Sequence, residues 1–186
     1  RNSDYKLSLQ KFGNQLEKKA STYNQWNGVV VFGKETGNYQ YRGVNPDYQF
    51  IENATIVEGR FINEYDLKHN EKVGVIGQKI KFDLFKGKSP LGKLISINRI
   101  NFKVVGVFTD PSGEREETRI YLPLTTTQKT YGAGDKISTL FYTLHKKATY
   151  EEALAESDKF SNELEQLLKS KNIIAPDDSG GVSVNN

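Results

Sequence analysis

The residues best placed to do chemistry lie between Val57 and Phe108. Gly87 to Lys93 reads G-K-S-P-L-G-K, which follows the phosphate-loop template up to its last position. A true match would put a nucleoside triphosphate on this chain. Such a loop needs a buried strand before it and a helix after it, so that the helix N-terminus and a run of N–H groups cradle the phosphates. Here Leu94 stands where the magnesium-binding hydroxyl belongs, and Pro90 removes a backbone donor. Leu94-Ile95-Ser96-Ile97 then predicts a strand, whereas Gln78 to Phe85 predicts a helix. The order is inverted. The segment reads as a structural turn shaped by Pro90 and Gly92.

Other catalytic constellations are missing from the sequence. His69 and His145 are the only histidines, and neither has a metal-ligand spacing. No cysteine is available as nucleophile or ligand, and no nucleophile elbow surrounds a serine. The carboxylate pairs Glu116-Glu117, Glu151-Glu152 and Asp177-Asp178 are adjacent in sequence, so their side chains diverge on a strand or a helix. Glu58 and Asp66 flank a turn that begins at Gly59, where Arg60 is expected to pair with Asp66 in a structural role. Tyr23, Trp26, Tyr39, Tyr41 and Tyr48 cluster early. They fit either a ligand- or protein-facing surface or ordinary strand faces. We expect no catalytic residues, no cofactor and no metal: not an enzyme.

The balance of charge narrows the partners. A net charge of +3 without an Arg/Lys stripe interleaved with aromatics gives no case for nucleic acid. The absence of Cys excludes disulfides without fixing a compartment. No apolar run approaches the roughly 18 residues that would span a bilayer. The chain opens at Arg1 and contains no Met, so it reads as a segment of something longer.

Short strands dominate the elements. Residues 5–20 fit a strand by alternation (Tyr5, Leu7, Leu9) and a helix by the stripe Leu9, Phe12, Leu16, Ala20. Val29 to Phe32 and Asn38 to Val44 predict a hairpin through a Gly33 to Gly37 turn. Ala54 to Val57 and Val73 to Ile76 predict strands, and Lys79 to Phe85 a helix with Ile80 and Leu84 inward. Lys93 to Ile97 and Asn101 to Phe108 predict a second hairpin. Asp110 to Glu117 holds Pro111 and Gly113 and predicts a mobile loop. Arg119 to Leu122 predicts a strand, Thr125 to Tyr131 a helix, and Ile137 to Leu144 a central strand apolar on both faces. Thr149 with Glu152 forms a capping box for a long helix to about Lys171. Its stripe of Leu154, Phe160, Leu164, Leu167 and Leu168 is expected to face the sheet.

Six motifs in one order carry a resemblance. They are G-V-x-P-x-Y (Gly43 to Tyr48), E-G-R-F-I-N-E-Y-D (Glu58 to Asp66) and K-V-G-V-I-G (Lys72 to Gly77), then L-F-K-G-K-S-P-L-G-K (Leu84 to Lys93), I-N-F-K-V-V-G-V-F (Ile100 to Phe108) and I-Y-L-P-L-T-T-T-Q (Ile120 to Gln128). The pattern resembles the periplasmic core domain of MacB-type ABC transporter permeases, a group akin to the LolC/LolE and FtsX proteins. The resemblance implies an α+β fold of two subdomains. A Porter-like unit would take residues 1–53 and 111–175, with its N-terminal part incomplete. A β-rich Sabre-like unit would take 54–110, and 176–186 would be a linker towards a membrane helix. It also implies a place on the periplasmic face of the inner membrane, between two membrane helices of an export permease, and transmission of ATP-driven movement. The implied partners are a periplasmic adaptor and an ABC ATPase. Permease subunits would pair as a homodimer or heterodimer, the isolated domain being monomeric. Glu114, Arg115 and Glu116, in the loop after Phe108, are the expected partner contact. Two other readings stand beside this one: a freestanding periplasmic binding module and a nucleotide-dependent enzyme.

Overall fold

A computed structural model describes residues 1–175, 178 and 181–185. The chain divides into two compact units, Arg1–Glu17 with Thr143–Asn186, and Lys18–Tyr142.

In the first unit, α1 (Asn2–Phe12) opens the chain and α6 (Tyr150–Lys171) closes it. Thr149 caps α6 by accepting the Glu152 N–H at 3.2 Å, which satisfies one of the helix's orphan donors. Phe160, Leu164 and Leu168 are buried, but Leu154 is exposed and Leu167 half-buried. Phe160 of this stripe meets α1: the Phe12 and Phe160 rings stand edge-on at 5.2 Å. The ambiguity over residues 5–20 resolves into three pieces. The helix stops at Phe12, a single 3₁₀ turn spans Gly13–Gln15, and β1 starts at Leu16. Leu16 and Ala20 are therefore strand residues, whose spacing matches a helical stripe by coincidence.

The second unit is built on one sheet. Its strands are β1 (Leu16–Phe32), β2 (Glu35–Val44), β3 (Thr55–Gly59), β4 (Val73–Gly77), β5 (Leu94–Ile97), β6 (Ile100–Thr109), β7 (Arg119–Pro123) and β8 (Thr139–Leu144). The order is β2-β7-β4-β6-β5-β1-β8, with β3 on β6. Because β1 also pairs β2, six strands close into a ring, which removes most free edges. Four further helices decorate it: α2 (Tyr48–Ile51), α3 (Glu64–His69), α4 (Gln78–Phe85) and α5 (Leu124–Thr130).

Alternation along the strands makes two cores. Ile120 and Leu122 join Ile76, Phe102, Val104 and the α4 residues Ile80 and Leu84 on one face. Tyr121 joins Val75, Phe108, Tyr48 of α2 and Leu67 of α3 on the other. Period-2 patterning thus assigns neighbours in one strand to different cores.

The contact division falls at 17/18 and 142/143, and the strands of 54–110 share ladders with β1 and β7. Several expectations about single elements need correction. Helix α3 was not foreseen, since it is only six residues long. β8 is not central: it ends the strand order, and Leu140 to Leu144 are half-buried. An apolar aromatic run reads alike in a central strand and in an edge strand. Both hairpin loops are shorter than predicted, with two residues each. In the second, Asn98 and Arg99 have φ of 49° and 71°, as a tight primed turn requires. The linker expected over 176–186 and the Asp177-Asp178 pair lie partly outside the described residues.

Candidate interaction site

The loop between β6 and β7 is built from its own carboxylates. Asp110 is buried. It turns the chain by accepting the Ser112 N–H at 2.8 Å on its side chain and the Gly113 N–H at 3.1 Å on its carbonyl, a local bond pattern typical of Asp. Glu117 closes the other end, accepting from the Thr109 hydroxyl and from the Asp110 N–H at 3.3 Å. Residues Glu116–Thr118 form a 3₁₀ turn, so the segment read as a mobile loop is bonded at both ends.

The three expected contact residues separate here. Glu114 and Arg115 are exposed. Glu116 is turned inward and ion-paired to Arg119.

Arg119 belongs to a half-buried network that the sequence did not reveal. Its guanidinium also faces Glu52 at 3.6 Å. Glu52 accepts from the Tyr48 hydroxyl at 2.5 Å, and Arg42 donates to that hydroxyl at 2.6 Å. Burial first, then the Glu52 hydrogen bond, push the Tyr48 phenol well above its ordinary range. Burial likewise lifts Tyr121, beside Arg119, to about 12. Both phenols stay neutral at any physiological pH, and the Tyr48 hydroxyl donates to Glu52. The network joins α2, β2, β7 and the loop, but its members are scattered from residue 42 to 119, and no local pattern marks them.

The two structural turns expected from sequence meet in space. Gly59 has φ 70°, and a Cβ there would collide with the Val105 carbonyl and approach Leu91 Cδ2 to 2.9 Å. Next to it Arg60 makes a two-point pair with Asp66, at 2.6 Å and 3.0 Å. Asp66 also accepts the Asn63 N–H at 3.0 Å, and Asn63 accepts the Asp66 N–H in return at 3.0 Å; this reciprocal cap starts α3. In the second turn Pro90 is buried, and its carbonyl accepts the Lys93 N–H at 3.0 Å. Gly92 has φ 74° and donates to Val104 at 2.8 Å. Glu58 links the turns by pairing with Lys81 and accepting from Ser89 at 2.8 Å. Those hydrogen bonds hold its carboxyl below the usual range.

This geometry leaves no phosphate cradle at Gly87–Lys93. Helix α4 precedes the turn and β5 follows it. Both N–H groups at its end, Gly92 and Lys93, are spent on carbonyls. Among the described residues no group of three His, Cys, Asp or Glu could hold a metal. The His69 ring stacks on Tyr65 at 3.9 Å. Of the early aromatics, Tyr39, Tyr41 and Tyr48 are core residues. Trp26 is 65% exposed, because the β1–β2 register slips between Gln25 and Gly28. No helix among the described residues is long and apolar enough to cross a membrane.

Comparison with known proteins places these features in a family. Residues 3–160 match the profile described as the MacB-like periplasmic core domain. Among curated proteins, the chain is similar to the macrolide export ATP-binding/permease protein MacB of Bdellovibrio bacteriovorus, at 32% identity over 59% of this chain and 17% of that protein. The MacB of Chlorobium phaeobacteroides is 30% identical over 68% of this chain and 20% of that protein. The pyoverdine export ATP-binding/permease protein PvdT of Pseudomonas aeruginosa is 32% identical over 57% and 17%. The chain therefore spans about a fifth of the length of these relatives. Among solved structures, the periplasmic region of MacB from Actinobacillus actinomycetemcomitans superposes with a TM-score of 0.78 at 22% identity, covering 92% of this chain and 74% of that one. The extracellular domain of the transporter YknZ from Gram-positive bacteria gives 0.78 at 16% identity, covering 94% and 84%. Both share the α+β fold.

Proposed function

We propose a function for this chain from the premise that it belongs to the MacB-like periplasmic core domain family. It is the periplasmic domain of a MacB-like ABC transporter permease. In our reading it passes ATP-driven movement to a periplasmic partner and carries out no chemistry itself. The ATP would be bound elsewhere in the complete transporter, as the names of the ATP-binding/permease relatives suggest. The domain would sit on the periplasmic face of the inner membrane, engage an adaptor, and be brought together with a second permease subunit. In this reading the inserted, Sabre-like unit is 54–110 and the Porter-like unit 1–53 with 111–175; 54–110 lies wholly within the compact unit Lys18–Tyr142.

The observation that carries this reading is the family match over residues 3–160. The bonded loop of residues 110–118, with Glu114 and Arg115 exposed, is the proposed contact. In the full-length permease, Glu114→Lys with Arg115→Glu should weaken copurification with the adaptor. Unchanged affinity would remove the loop from the contact. A saturable thermal shift of this chain by ATP would count against the non-enzymatic role.

A further inference from the structure

Val29 of β1 spends neither of its backbone groups on β2. Its N–H donates to the Asn98 side-chain oxygen and its carbonyl accepts the Asn98 N–H, each at 2.9 Å. Val29 stands opposite Asn38 of β2. In an antiparallel ladder, a residue whose N–H and C=O point away from the facing strand belongs to a pair without hydrogen bonds, and the groups of the facing residue point away as well. The N–H and C=O of Asn38 are therefore aimed outward from the hairpin. Thr36, two residues along the same strand, has the same orientation.

On that outer side β2 has a neighbour for only half its length. β7 pairs with Gln40 to Val44, and its first residue, Arg119, stands opposite Gln40. Among the described residues no strand, turn or side chain bonds the backbone of Thr36 or Asn38 there. Both residues are exposed. Edge strands are usually blunted by proline, by charge or by a bulge. β3 has such a bulge, where its register on β6 shifts between Ile56 and Glu58. From Glu35 to Tyr39 the β2 register is regular. This stretch holds no proline, and its one charge, Glu35, is paired with Lys86.

We propose that the open edge of β2 receives an extended segment of a partner protein, which adds to the sheet as a strand through Thr36 and Asn38. Backbone groups aimed off one edge recognise peptide backbone first and side chains second. β7 limits the guest, which must end or turn away at Gln40. The same limit disfavours a second copy of this chain. Antiparallel pairing of two copies about Gly37 would set Lys34 of one against Gln40 of the other, where Arg119 already sits. The inference does not depend on the transport reading and uses none of the residues of the loop before β7.

The probe is a fluorescein-labelled peptide of alternating threonine and valine with a lysine at each end, titrated with the chain and followed by anisotropy. Saturable binding is expected, and at saturation the Thr36 and Asn38 amides should exchange hydrogen about tenfold or more slowly. Thr36→Pro with Asn38→Pro removes two N–H donors that the fold does not use, and should weaken binding by about tenfold or more. Thr36→Ser with Asn38→Ser changes the side chains, keeps the donors, and should bind within about twofold of the parent. Circular dichroism melts would verify that each variant is folded. The same peptide N-methylated along its length gives a second test on the unaltered chain, and should also bind about tenfold or more weakly. Absent binding, undiminished binding to the proline variant or of the methylated peptide, or equal loss in the serine variant overturns the proposal. So does sedimentation showing that this edge pairs two copies of the chain.

Discussion

Arg60 and Asp66 hold each other through two parallel hydrogen bonds across the five residues that enter α3. Asp66 is 1% exposed whereas Arg60 is 45% exposed, so the pair joins a buried acid to a cation at the surface. Removing the cation leaves the acid without its counter-charge. Arg60→Ala should destabilise the fold by about 1–3 kcal/mol, discounted from the cost of breaking a fully buried pair. Arg60→Lys should recover only part of this, since an ammonium cannot form the two-point pair. Urea unfolding of the three proteins measures it, and equal midpoints would dismiss the role.

The loop before β7 should respond in two ways. Glu114→Lys with Arg115→Glu touches only exposed residues, and should stay within about 0.5 kcal/mol of the parent. Glu116→Lys puts a cation against Arg119 and should cost about 1–3 kcal/mol. Thermal or urea unfolding separates them; an equal effect of both would mean that Glu116 is not held inward.

Gly77 closes β4 against the backbone of Glu117, and a Cβ there would sit inside the Glu117 carbonyl. Gly77→Ala must move backbone rather than a flexible side chain. A loss of about 1–3 kcal/mol is expected. Gly13→Ala, which has open space around its Cβ, is the control and should not lower the unfolding midpoint.

At the Asn98-Arg99 turn, Arg99 holds φ 71°, which suits glycine better than any residue with a side chain. Arg99→Gly should raise stability by up to about 1 kcal/mol. A lower midpoint in urea would show that the arginine makes compensating contacts.

Asp4 gives the first unit an acid limit. Burial opposes its ionisation, but Lys171, the amino terminus and Asn172 outweigh it and draw its carboxyl from 3.8 down to about 2. A carboxylate depressed by folding stabilises above its unfolded pKa and loses that effect as pH falls through the folded value. Its contribution should be complete above pH 3.8 and vanish near pH 2. Asp4→Asn should remove up to about 2 kcal/mol at neutral pH and flatten this dependence. Unfolding curves across that window would test it.

Local chemistry was legible in the sequence, and distant pairing was not. Helix α4 and strand β4 were read within a residue or two, because Val73 to Ile76 and the Ile80 and Leu84 spacing are self-contained signals. The end of α1 was legible only as an ambiguity, since Leu16 and Ala20 satisfy both periods. Helix α3 escaped because its cap uses Asp66 where a Glu or Gln is the usual signal. Ring closure had no signature at all: the parallel pairing of Tyr41 with Ile120 joins residues too far apart for any window of sequence to link. The same distance hid the pairing of Arg119 with Glu52.

Ring closure also has a mechanical meaning. In an open hairpin, a pull on one strand breaks hydrogen bonds one at a time, from the end inward. Here Val30 and Val31 of β1 are bonded to β2 on one side and to β5 on the other, so a pull on that end of the strand must shear two ladders together. A force that would unzip an open hairpin rung by rung meets two rungs at once there.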